Sequence, residues 1–214
     1  LETNLTGVTP DLMDTVDRMY TDFPKMLIYV AITTYIALFW LFRSVFLPLK
    51  AVIMNVMSIL ASFGALVFVF QQGHFADLMG FTAEGFTEAS VPILLFAIVF
   101  GLSMDYEVFL LSRVKEEYDA TGDNTASVAT GMERSGRIIT SSALILILVA
   151  AGFGTGDILI VKALGFGTAL AIFIDSTVVR ALLVPALMKV MSGLNWWAPR
   201  FLGGRPRGGV DRAA

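Results

Sequence analysis

Long apolar runs constrain this chain more than anything else in it. Residues Met26 to Phe42, Ala51 to Gly73, Ala89 to Met104 and Ile138 to Gly156 carry no charged side chain, and a further stretch, Ile158 to Val190, is interrupted only by Lys162, Asp175, Arg180 and Lys189. Each can form a helix of about 17 residues or more, the length needed to cross ~30 Å of hydrocarbon. In lipid a backbone must satisfy its hydrogen bonds internally, which leaves helices or a closed barrel. The runs lack the in-out alternation of barrel strands, so the expected fold is an all-α membrane protein, a bundle of five transmembrane helices. A mean hydropathy of +0.76 with 15% charged residues excludes an ordinary soluble domain.

The expected spans are about 24–42, 50–72, 90–112, 137–155 and 158–190, between a lead-in segment 1–23 and a terminal segment 193–214. The distribution of basic residues sets their orientation. With the first span running inward, Arg43, Lys50, Arg113, Lys115, Arg134, Arg137, Lys189, Arg200, Arg205, Arg207 and Arg212 all fall on the cytoplasmic side, whereas Gln71 to Ser90 carries acids but no Lys or Arg. The positive-inside rule then gives an external N-terminus and a cytoplasmic C-terminus.

In the lead-in, Leu12, Val16, Met19, Tyr20 and Phe23 recur at helical spacing and read as the last helix of an external domain, with Pro24 and Lys25 marking entry to the first span. Arg43 to Lys50 reads as a tight turn, and Gly73 to Ser90 as a segment skimming the interface. Lys115 to Asp119 and the stretch to Arg137 read as solvated. Small residues at four-residue spacing, Ala163, Gly167 and Ala171, Ser58 with Ser62, and Ala61 with Ala65, suit close helix packing. Trp196 and Trp197 suit an aromatic belt, and Gly203 to Ala214 suits disorder. The chain starts at Leu1 without a signal pattern, which suggests the C-terminal piece of a longer protein. It has no cysteine, hence no disulfide framework or thiolate metal site.

The charged residues within the spans are the candidates for function. Asp105, followed by Tyr106, lies about 21 Å from Val91 and about 12 Å from Arg113 at ~1.5 Å per residue. A carboxylate at such a depth costs roughly 2.5 to 3.5 kcal/mol on insertion scales, so an intramembrane acid is a functional-site hypothesis by default. Asp175 falls near the middle of the last span. Arg180 is five residues on, about 140° around an α-helix, and is therefore expected to find its partner across the bundle on Asp105 or Glu107. The alternative is an inert ion pair that fixes helix packing, Asp175 with Arg180 or Asp105 with Arg180. Glu107, about two turns from the inner end, is expected to snorkel.

The run Phe100 to Arg113 containing Ser103-Met104-Asp105-Tyr106-Glu107, together with Ile174 to Ala186, Asn195 to Arg200 and Phe42 to Lys50, resembles the MMPL family of the RND transporter superfamily. That resemblance implies proton-driven export of lipids or other hydrophobic compounds across a bacterial plasma membrane, with protons as the coupling ion and no bound cofactor. Asp105 and Tyr106 match the proton-relay pair of the family's second half, and Ser103 and Ser142 are candidates to line the relay. Expected partners are the first half of the transporter with its own Asp-Tyr pair, membrane lipids, a hydrophobic substrate and a possible second copy, with no nucleic acid. Competing readings are a non-transporting membrane scaffold and an intramembrane aspartyl protease built on Asp105 and Asp175. A serine protease would need a membrane-depth histidine, and the single histidine, His74, lies outside the spans.

Overall fold

A computed structural model describes residues 8–83 and 85–198 of the chain. The Arg200 and Gly203–Ala214 expectations lie outside these residues. Among those described there is no strand, and five helices are long and apolar enough to cross a membrane.

Helix α1, Val8–Phe42, continues unbroken through Pro24, so the lead-in and the first span are one rod. A left-handed Arg43 and the bend after it turn the chain into α2, Phe46–Leu66, which ends in a π-helical turn, Val67–Gln71. The short α3, Ala76–Met79, lies between left-handed residues Phe75 and Gly80. The chain then enters α4, Ser90–Thr121. Gly122, with φ +71°, caps α4, and the Asp123 carboxylate accepts from the backbone amides of Thr125 and Ala126 to start α5, Asn124–Phe153. The last rod comprises α6, Leu159–Ile174, a π-helical segment Asp175–Leu183, α7, Val184–Met191, and a 3-10 turn Ser192–Trp196.

Both α4 and α5 run past their apolar runs into the charged sequence between them. Residues there, read as solvated and placed outside the expected spans 90–112 and 137–155, prolong both helices of the hairpin, joined across it by Arg134 and Glu117 at 2.9 Å, with Lys115 and Asp119 paired at 3.1 Å along α4. These residues satisfy their backbone bonds by continuing the helices, while their charged ends stay on the outside of the hairpin.

The last rod packs against α2, α4 and α5, while α1 lies on α2 and α4. Much of α1 faces outward: Trp40 is 79% and Tyr29 70% exposed, as suits a lipid-facing helix. Ala163 and Ala171 are buried on α6, and a Cβ added at Gly167 between them would sit 3.2 Å from side-chain atoms of Leu66 and Leu95. The small-residue stripe therefore brings α6 close to α2 and α4. Ser58 and Ser62 are buried too, but Ala61 is exposed and takes no part.

At one end of the bundle the terminal turn is stapled to both neighbouring hairpins. Ser44 Oγ donates to the Asn195 carbonyl at 2.5 Å, Trp196 Nε1 donates to Asn124 Oδ1 at 2.9 Å, and the Trp196 ring stacks on Tyr118 at 4.2 Å. At the other end the buried Lys162 of α6 donates to the Met79 carbonyl at 2.6 Å, which holds the α3 segment against the bundle.

Candidate functional site

The centre of the site is a helix wound off its usual pitch. In the segment Asp175–Leu183 the amide of Val184 donates to the Val179 carbonyl, five residues back. A π-helix, bonded i to i+5, brings residues five apart closer in angle than the ~140° of an α-helix. Asp175 and Arg180 consequently form an ion pair within one segment. This corrects the expectation that Arg180 pairs with Asp105 or Glu107, an inference that assumed α-helical pitch throughout. Both side chains are buried.

Ser103 on α4 completes the pair. Its hydroxyl donates to Asp175 Oδ2 at 3.0 Å, and Arg180 Nη2 donates to the Ser103 carbonyl at 3.1 Å and to its hydroxyl at 3.3 Å. A carbonyl already used in an α-helix still has a second lone pair to accept with. The Arg180 guanidinium also lies over the Tyr106 ring, 5.2 Å from its centroid, within cation-π range.

Helix α4 therefore has two distinct faces, one buried and one exposed. Ser103, Glu107, Leu110 and Val114 recur at three- and four-residue spacing and are buried. Leu94, Ile98, Gly101 and Asp105 share the same spacing on the exposed face, and a Cβ at Gly101 would meet nothing within 4 Å. Asp105 makes no hydrogen bond or ion pair among the described residues. Tyr106 sits between the faces, half-buried.

Glu107 is 5% exposed, so it does not snorkel. Its position on the buried face of α4 turns the carboxyl toward the bundle, where it interacts electrostatically with Arg180, Lys50 and Asp175. Lys50 is likewise not a loop residue: α2 begins at Phe46, and the Lys50 side chain is buried. Helical spacing contained the signal for both. Glu107 is four residues from Ser103 and from Leu111, and Lys50 three from Leu47 and four from Met54.

Other candidates do not join the site. Ser142 Oγ donates back to the Ile138 carbonyl of its own helix at 2.8 Å. His74 stacks on Phe68 beyond the end of α2, with ring centroids 3.9 Å apart. Asp175 reaches Ser103 on the buried face of α4 and Asp105 lies on the exposed face, so the two carboxylates do not form a protease-like dyad. Among the described residues no group of three or more His, Asp or Glu is placed to hold a metal ion.

The profile of the MMPL family matches residues 1–208. The chain belongs to that family. MMPL relatives cover nearly all of it: the heme uptake protein MmpL11 of Mycobacterium tuberculosis is 44% identical over 92% of this chain. The mycolic acid-containing lipids exporter MmpL11 of Mycolicibacterium smegmatis is 42% identical over 92%. The trehalose monomycolate exporter MmpL3 of Mycobacterium tuberculosis is 40% identical over 93%. The chain spans only 20% of the length of either MmpL11 protein and 21% of MmpL3. As an MMPL member with five membrane-length helices, it is a multi-pass protein of the bacterial plasma membrane, in a family of transporters.

Proposed function

We propose that this chain is the second-half membrane core of an MMPL exporter that moves lipids or other hydrophobic compounds using the proton-motive force. The observation that carries the reading is Asp105, an acid within a membrane-length helix, on a face of α4 that nothing among the described residues covers. Such a carboxyl is costly in hydrocarbon unless it serves a site. The first half of the transporter, bringing its own Asp-Tyr pair, is the partner that covers this face.

In this mechanism Asp105 takes up a proton from one side and releases it to the other. Tyr106, between Asp105 on one face and Arg180 on the other, transmits the change. When Asp105 loses its charge, the field at the Tyr106 ring and at the guanidinium above it changes, and the Arg180–Asp175 pair on the π-helical segment responds. Moving one charge across the membrane is worth ~2.3 kcal/mol per 100 mV, enough to bias a conformational equilibrium substantially. The N-terminus is external and the C-terminus cytoplasmic in this arrangement, and residues 1–23 close an external domain.

Support for a hydrophobic substrate comes from the relatives named as lipid exporters. A cleft of about 310 Å³ is lined mainly by apolar side chains, Phe63, Leu66, Val67, Phe86 and Pro92, with Tyr20, Gln71 and Thr87 completing it. The test is export of a fluorescent lipid by the full-length transporter in proteoliposomes, with and without an imposed pH gradient. Gradient-dependent export is expected, and gradient-independent export would overturn the reading.

A further inference from the structure

Where the α1–α2 turn meets the terminal turn of the last rod, positive charge goes uncompensated. The sequence carries no acid between Asp22 and Asp77, and the described residues carry none after Asp175. The neighbouring α4–α5 hairpin differs: there Arg113, Lys115 and Arg134 are each paired with a carboxylate. Arg43 and Lys189 are exposed, and neither side chain makes an ion pair or hydrogen bond among the described residues.

Arg43 is also held in a costly conformation. It follows the last residue of α1 with φ +48°, its amide donating to the Phe39 carbonyl at 2.8 Å. Glycine suits that left-handed position best, because a Cβ is crowded there. The frame around it is fixed. Ser44 Oγ donates to the Asn195 carbonyl, the Val45 amide donates to the Trp197 carbonyl at 3.1 Å, and the Tyr35 hydroxyl donates to the Val45 carbonyl at 3.3 Å. The Phe46 ring lies 5.9 Å from that of Trp197. The dipole of α1 favours a base at this end, but a base one turn earlier would meet it without strain. A strained arginine in a fixed frame calls for a use of its side chain.

The residues around Arg43 suit the edge of a bilayer. Trp40, three residues before it, is 79% exposed and Trp197 is 45% exposed, and Leu41, Leu49 and Ile53 are exposed as well. Indole rings favour the boundary between hydrocarbon and headgroups, where the ring is apolar-bound and the N–H is wet. The guanidinium offers a planar fork of donors that matches a phosphate. Exposed apolar side chains beside it favour a phosphate carried on acyl chains over one in solution. We propose that Arg43, flanked by Trp40 and Trp197, binds the phosphate of an anionic phospholipid at this end of the bundle. The lipid supplies the negative charge that the α1–α2 turn and the end of the last rod lack. Because Ser44 and Val45 bond to the terminal turn, an occupied site braces the α1–α2 turn against the last rod. Only a membrane surface at this end is required, so the site stands apart from the proton-driven reading.

The test is hydrogen exchange of the full-length transporter in nanodiscs of phosphatidylcholine, alone or mixed with phosphatidylglycerol. In the parent, phosphatidylglycerol should slow exchange several-fold across 43–47 and 193–198 and leave 73–83 unchanged. Arg43→Gly removes strain and cation together. It should fold, resist heat in detergent at least as well as the parent, and lose the protection that phosphatidylglycerol confers, while Arg43→Lys keeps part of it. Arg43→Asn, which tolerates the left-handed region without added backbone freedom, should behave as Arg43→Gly does. Equal protection of the parent in both lipids, or protection by phosphatidylglycerol that persists in folded Arg43→Gly and Arg43→Asn, would overturn the proposal. The same protection from inorganic phosphate in phosphatidylcholine nanodiscs would also overturn it, by marking a site for soluble anions.

Discussion

Asp175 and Arg180 are five residues apart on one rod and are nevertheless ion-paired, because the segment between them is wound as a π-helix. The pair exists only in that register. Rewound as an α-helix, the segment would carry the two side chains about 140° apart and leave two buried charges unmatched. The π segment, the pair and Ser103 are thus mutually dependent.

Removing one member of the pair should therefore cost far more than removing both. Arg180→Met leaves Asp175 buried with only the Ser103 hydroxyl, and the expected destabilisation is about 3–5 kcal/mol. Asp175→Leu/Arg180→Met should recover most of that loss. Thermal unfolding in detergent checks it, and a double variant no more stable than the single would mean that the pair is not what holds the segment.

Glycines on two faces of the bundle should behave in opposite ways. A Cβ at Gly165 would lie 2.6 Å from the Ala150 carbonyl oxygen and 2.7 Å from the Gly154 amide nitrogen, backbone that cannot move aside, so Gly165→Val should destabilise the chain by about 1–3 kcal/mol. Gly101, beside Asp105 on the exposed face, has nothing within 4 Å. Gly101→Leu should leave this segment as stable as before and impair transport by the full-length protein, where the other half covers that face. Unimpaired transport would argue against a partner helix there.

The α3 segment depends on one cation. Lys162→Met keeps the packing but removes the charge-assisted bond to the Met79 carbonyl, worth about 1.5–3 kcal/mol. Hydrogen exchange should accelerate across 73–83 and stay unchanged across α5. Unaltered protection in 73–83 would show that apolar contacts such as Phe70 with Phe81, at 4.9 Å, suffice to hold it.

The five membrane-length helices were legible because hydrocarbon thickness dictates run length and excludes charge, a constraint that acts on every residue of a span. Extensions beyond the lipid were not. Residues 113–137 are charged, and hydropathy cannot distinguish a solvated helix from a solvated loop. Within the spans, depth was legible from residue counting, and it singled out Asp105 and Asp175. Direction was misjudged for Glu107 and Lys50, since nearness to a span's end was allowed to outweigh their helical spacing from buried neighbours. The Asp175–Arg180 pair was legible only as an alternative to a partner across the bundle: no residue pattern here announces an i to i+5 turn, and one change of pitch reverses the angular argument.

The central claim is that Asp105 carries the proton that drives export. The most direct test compares Asp105→Asn with the parent, as full-length transporters in proteoliposomes under an imposed pH gradient, after confirming equal folding and reconstitution. The account predicts that Asp105→Asn abolishes both proton flux and lipid export. Export at the parental rate would make Asp105 structural and contradict the account.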